Sequence, residues 1–125
     1  MIEYIVLGVF VLWLVYFIVR WFYMHPICLV CGLSMYPTFD DGSIILTERV
    51  DNLEIEEGEV YVFKRITPEG KTLRVIKRVH DIKLEDGKML CYLLGDNRSM
   101  SYDSREYGYL NSEDVVAKVI KILHY

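Results

Sequence analysis

The chain has 125 residues, 53% of them hydrophobic, and a formal charge of −4 from 14 basic and 18 acidic side chains. A net negative chain without a basic cluster gives no electrostatic basis for nucleic-acid binding. Once an apolar N-terminal segment is set aside, about 100 residues remain, enough for one modest core and not for two.

Tyr4 to Val19 carry no charge and are almost wholly Val, Ile, Leu, Phe, Trp and Tyr. With the flank Arg20-Trp21-Phe22-Tyr23 the segment reaches about 20 residues, and at ~1.5 Å each it spans a ~30 Å hydrocarbon core. Arg20 can snorkel, and Trp21 and Tyr23 suit the headgroup zone. A cleaved leader would want a basic start and a small-residue cleavage site, and the segment ends in bulky aromatics instead. Residues 1–24 are therefore the expected single-pass anchor in a lipid bilayer, and 25–125 the expected extramembrane domain. Arg20 after the span, with no Lys or Arg before it, taken alone places that domain in the cytoplasm.

Pro26 stops the helix. Beyond it the pattern predicts short strands with turn punctuation: Ile27 to Val30, Ser43 to Val50 after Asp40-Asp41-Gly42, and Glu59 to Thr67 after Glu57-Gly58. A loop at Pro68-Glu69-Gly70-Lys71 leads to Thr72 to Asp81. Glu85-Asp86-Gly87-Lys88 is the strongest hairpin signal, because Asp-Gly fits a tight primed turn. Met89 to Leu94 follows, and Val115 to Tyr125 is a last strand, with Ser112-Glu113-Asp114 able instead to cap a short helix. The expected fold is mainly β, a coiled sheet or barrel-like domain behind one transmembrane helix. Cys28-x-x-Cys31 has redox or zinc-like spacing, but no second Cys/His pair completes a metal site and the chain runs on into a serine motif. Neither metal nor cofactor is expected.

Gly32-Leu33-Ser34-Met35-Tyr36-Pro37 puts a serine where glycine and proline force the backbone to turn, a good place to present a hydroxyl with its own N–H facing a carbonyl. Alone it is an ordinary turn serine; it needs a base. His80-Asp81 offers a Ser-His-Asp arrangement. Lys77 offers another. In Leu73-Arg74-Val75-Ile76-Lys77-Arg78-Val79 the strand alternation sets Lys77 on a face with Leu73, Val75 and Val79. Burial there favours the neutral amine, and lowering its pKa from ~10.4 to ~8 costs roughly 3 kcal/mol. The bland reading is a lysine that snorkels at a sheet edge. The third block, Gly95-Asp96-Asn97-Arg98-Ser99-Met100-Ser101-Tyr102-Asp103-Ser104-Arg105, is dense in turn formers. Its Asp and Arg residues can pair to stiffen it, and Ser101 can orient a lysine amine.

These blocks resemble those of the bacterial type I signal peptidases, the membrane-bound serine-lysine peptidases that remove signal peptides from exported proteins. Ser34 to Thr38 is similar to the nucleophile box, Val75 to Val79 to the lysine box, and Gly95 to Arg105 to the C-terminal box, in the family's order and behind one anchor. The resemblance implies Ser34 as nucleophile, Lys77 as general base and Ser101 as a hydrogen-bond partner of the lysine. It implies pairing of Asp103 with Arg105 and of Asp96 with Arg78, and an oxyanion held by the Ser34 N–H. It implies preprotein substrates bound as an extended strand and cut after A-x-A-like sites, with the secretion translocon as a neighbour. Met35 and Tyr36 would contact substrate, and Met35, Tyr36 and Phe39 would rest exposed in the outer leaflet. It also puts the catalytic domain on the extracytoplasmic side, against the charge count of Arg20.

The chain departs from the family's usual pattern. His80-Asp81-Ile82-Lys83 replaces the Gly-x-Pro-Gly-Asp turn, Gly32 stands where some members carry an oxyanion-hole serine, and Asn111 and Ala117 stand where proline and glycine are common. The interval from Lys77 to Gly95 has no room for a large inserted domain, so a minimal, divergent member is expected. The alternative of another class is a signal-peptidase-like assembly factor or chaperone, for example in pilus biogenesis, which binds peptides without cutting. A self-cleaving repressor would want a DNA-binding segment, and a plain anchored β-domain would leave three ordered boxes to coincidence.

Overall fold

In the computed structural model, which describes residues 1–124, Ile2–Met24 forms one helix, α1, with no buried side chain. Apart from Glu3 and Arg20 near its ends, its 23 residues are almost wholly apolar and run for roughly 35 Å, long enough to cross a bilayer. The rest is one antiparallel sheet of seven strands: β1 (Ile27–Leu29), β2 (Ile44–Glu48), β3 (Val60–Ile66), β4 (Thr72–Glu85), β5 (Lys88–Leu94), β6 (Leu110–Asn111) and β7 (Val115–His124). Their order across the sheet is β1-β2-β7-β3-β4-β5-β6. The mainly β fold behind a single apolar helix agrees with the sequence expectation. Tyr125, part of the expected last strand, lies outside the described residues.

The Asp86-Gly87 turn closes the β4–β5 hairpin with positive φ at both residues (51° and 75°) and Glu85 opposite Lys88, as a primed turn requires. β4 runs four residues beyond the expected Asp81. A bulge between Val79 and Asp81 absorbs His80 and lets the strand change partners. Its first half, Thr72 to Arg78, pairs with β3, and its second, Arg78 to Glu85, with β5. The second edge of residues 72–77 is therefore left without a strand among the described residues. At Ser112–Asp114 both sequence readings find a part: a single 3-10 turn, capped by the Asn111 side chain on the Glu113 N–H, leads into β7.

β3 is buried on both faces, with Val60, Tyr61, Val62 and Phe63 at most 7% exposed. One face packs a core of Ile55, Tyr61, Phe63, Val79, Cys91 and Leu93. A second core gathers Val30, Met35, Phe39, Ile45 and Val60. This second core holds the loop that carries Ser34.

Candidate active site

Ser34 lies in the turn between β1 and β2, and the turn is held from below. Gly32, at φ +92°, reverses the chain and gives its N–H to Asp41 Oδ1 at 2.7 Å. Met35 and Phe39, one helical turn apart and joined by Phe39 N–H to Met35 O at 3.0 Å, sink into the second core. Here the structure corrects the sequence reading. Met35 is 1% and Phe39 4% exposed, so neither can rest in a lipid leaflet, whereas Tyr36 is 50% exposed. Two apolar side chains one turn apart serve better as pins for a loop that must not move than as surface.

The third block clamps the same turn from the side. The Asn97 N–H donates to Ser34 O at 2.9 Å and Asn97 Nδ2 to Leu33 O at 3.0 Å. Asp96 accepts two bonds from Arg78, Nε to Oδ1 at 2.9 Å and Nη2 to Oδ2 at 2.8 Å, and a third from the Thr38 hydroxyl. It thereby ties the serine turn to β4. The Arg78 fork holds the Asp96 carboxyl below the usual carboxylate range, against partial burial. The clamping roles of Asn97 and Thr38 were not expected from the sequence, although both lie inside the motifs.

Lys77 arrives from β4. Its cross-strand partner is Tyr61, and Val75 faces Phe63 two positions along, so the alternation reading of its apolar face holds. The side chain is 5% exposed and its Nζ lies 2.8 Å from Ser34 Oγ. Burial pushes the amine below its ordinary pKa, and the charge of Asp103 partly restores it. The Ser34 N–H finds no acceptor among the described residues. The rival base is not assembled: His80 is exposed beside Tyr92, and Asp81 Oδ2 accepts from the Tyr109 hydroxyl at 2.7 Å.

Asp103 is wholly buried and centres the C-terminal block. Burial alone would raise its carboxyl. Arg105 Nε at 2.9 Å, the Gly95 N–H at 2.9 Å, the Ser101 hydroxyl at 2.7 Å and the Arg105 N–H at 3.2 Å outweigh that and hold it well below the usual range. Asp103 also caps the short helix α2 (Ser104–Tyr107) in a reciprocal capping box with Glu106. The pairs Asp103–Arg105 and Asp96–Arg78 are thus both present. Ser101 departs from expectation. Its hydroxyl donates to Asp103, and the lysine's hydrogen bond is with Ser34. The charge-assisted bond to the Asp103 carboxylate uses the hydroxyl's one proton.

Arg65 was not singled out in the sequence. It is 9% exposed, with its guanidinium 4.3 Å from the Tyr107 ring centre and 5.1 Å from that of Tyr102. It holds the 101–107 segment against β3. The three cysteines are free thiols, and burial pushes Cys91 up to about 11. A thiol so raised is unreactive near neutral pH.

Beside Ser34 and Lys77 lies a cavity of about 230 Å³ lined by Leu29, Val30, Cys31, Met35 and residues 74–76. One wall belongs to β1 and its continuation, and another to the edge of β4 that has no strand partner among the described residues. Gly95 seals the end of the site. A Cβ there would stand 2.6 Å from Ser34 O and overlap the Ser101 side chain. Gly95→Ala is therefore expected to displace the serine turn and slow any reaction at Ser34 by roughly 10²-fold. Activity and melting temperature measured side by side would show activity as the larger loss.

A helix long and apolar enough to cross a membrane thus precedes an antiparallel sheet in which a serine hydroxyl lies against a buried lysine. A family model described as signal peptidase, peptidase S26, matches residues 1–83 and 81–124. The chain belongs to that family, whose members are serine peptidases. Membership implies substrates bearing signal peptides and association with the membrane, in accord with α1. No curated protein sequence matches the chain.

Proposed function

We propose that the chain is a signal peptidase of the serine-lysine type, with Ser34 as nucleophile and Lys77 as general base. The observation that carries this is the 2.8 Å approach of Ser34 Oγ to a lysine amine that is 5% exposed. A neutral Lys77 takes the proton of Ser34 Oγ as the oxygen attacks the scissile carbonyl. The oxyanion meets the Ser34 N–H, and Gly32 adds no hydroxyl to help. As the tetrahedral adduct collapses, the Lys77 ammonium returns its proton to the departing amine. A water, deprotonated by the same lysine, then hydrolyses the ester on Ser34. Asp103 and Arg105 stiffen the segment from Gly95 to Ser101, while Asp96 and Arg78 fix the serine turn to β4.

The substrate lies as an extended strand between the edges of β1 and β4, the mode in which main-chain hydrogen bonds give affinity and pockets give specificity. A cavity of about 230 Å³ takes small side chains and supports cutting after A-x-A-like sites. Tyr36, exposed at its rim, contacts substrate or lipid, and Met35 contributes to the cavity floor. The domain works on the extracytoplasmic side, where exported preproteins present their cleavage sites, next to the secretion translocon.

The test is cleavage of a preprotein in proteoliposomes, with the new N-terminus of the product sequenced. Cutting after a small residue is expected, and replacing the residue before the cut by Phe should abolish it. Binding of the preprotein without any cutting would instead support the chaperone reading.

A further inference from the structure

We propose that Arg49 is a positioning residue that locks the β-domain onto the end of α1 and so fixes the height above the bilayer at which a substrate is cut. The inference rests on the peptidase reading above. Pro26 has no N–H to offer and the last turn of α1 contains no basic residue, so the terminal carbonyls of the helix need partners from elsewhere. The chain just after β2 supplies them. The Arg49 N–H donates to Met24 O at 2.8 Å and Arg49 Nε to Tyr23 O at 2.7 Å, while the guanidinium covers the Tyr23 ring at 4.4 Å. Within β2, Thr47 is wholly buried and gives both its N–H (3.0 Å) and its hydroxyl (2.6 Å) to Pro26 O. A cation from the domain thus sits on the negative end of the helix dipole.

These contacts turn a single covalent tether into a fixed joint. β2 also pairs with β1, with Ile27 opposite Leu46 and Cys28 opposite Ile45. β1 is three residues long, about 10 Å, and leads into the Ser34 turn. The strand that leads into the Ser34 turn and the helix in the bilayer are therefore both referenced to β2. A preprotein held in the same bilayer by its own apolar segment presents its cleavage site at a set height. A short soluble peptide presents its site at any height, so the joint matters only for the first.

The experiment compares Arg49→Ala and Arg49→Lys with the unmodified chain in proteoliposomes, on a bilayer-inserted preprotein and on a soluble peptide containing the same cleavage site. Products are read by mass spectrometry. Arg49→Ala is expected to cut the peptide as before. Its cleavage of the inserted preprotein should fall about tenfold or spread to neighbouring bonds. Arg49→Lys, which keeps the charge but not the fork, should fall between. A ratio of the two activities and a site distribution unchanged in Arg49→Ala would overturn the inference. A readout independent of catalysis is time-resolved energy transfer from Trp21 to a dye on Lys88→Cys, in a background of Trp13→Phe, Cys28→Ser and Cys31→Ser. One narrow distance distribution that broadens with Arg49→Ala is expected, and a distribution that stays narrow would overturn the positioning role of the Arg49 side chain. An unmodified chain that cuts neither substrate would instead count against the peptidase reading, and the distance distribution would still decide the role of Arg49.

Discussion

Lys77→Met is expected to leave the domain more stable than before and catalytically dead. The two effects have one cause. Lys77 is buried on an apolar face, and burial lowers its pKa from the ordinary 10.5. Between the folded value and 10.5 the unfolded chain binds more protons, so this lysine makes stability rise with pH across that window and costs stability below it. Methionine has similar volume and no charge to desolvate. Its melting temperature at neutral pH should be higher, and the pH slope due to Lys77 should vanish. Activity should fall by roughly 10² to 10⁴, the range for loss of a general base. In the unmodified chain, activity should rise as pH climbs through the lowered Lys77 pKa, because only the neutral amine accepts the Ser34 proton. Thermal melts and a pH–rate profile check both halves. A Lys77→Met chain that keeps most of its activity would remove the lysine from the mechanism.

Asp103→Asn is expected to be the most destabilising conservative change in the domain. The carboxylate is 0% exposed and accepts from Arg105, Ser101 and the Gly95 N–H. An amide keeps the shape but turns donors toward the Gly95 N–H and the Arg105 guanidinium, and a buried polar group left without its partner costs about 1–3 kcal/mol. That corresponds to a fall in melting temperature of at least about 5 °C for a domain of this size. The pH dependence follows from the depressed pKa. The stabilisation by Asp103 is fully present above its unfolded value of 3.8 and is lost as pH falls through the lower folded value. The kinetic consequence has the opposite sense to simple damage. Asp103 raises the Lys77 pKa by its charge, so in Asp103→Asn the acid limb of the pH–rate profile should move to lower pH.

The two buried groups at the heart of these predictions differ in how readily the sequence reveals them. The face of Lys77 was legible because strand alternation puts it with Val75 and Val79, whereas alternation left open whether its amine is buried or snorkels to solvent. The Asp86-Gly87 hairpin was legible because only a few residues adopt positive φ cheaply. The burial of Met35 and Phe39 was not, since nothing local distinguishes apolar side chains that pin a loop from ones that face lipid. Nor was the bulge at His80, which answers a change of strand partner rather than a local preference. Ser101 was paired with Lys77 on resemblance, but its hydroxyl donates to Asp103 and the lysine reaches Ser34, a matter of relative position in space. The roles of Asn97, Gly95 and Arg49 arise where segments distant in sequence meet, and no pattern along the chain records such meetings.

The most direct measurement of the central claim is the rate at which the reconstituted chain releases mature protein from a preprotein, compared with Ser34→Ala in the same membranes. Ser34 is partly exposed and its hydroxyl is bonded to Lys77, so the alanine chain should keep its fold and melting temperature. The account predicts steady cleavage by the unmodified chain and none above background by Ser34→Ala. Cleavage by Ser34→Ala at the unmodified rate would contradict it.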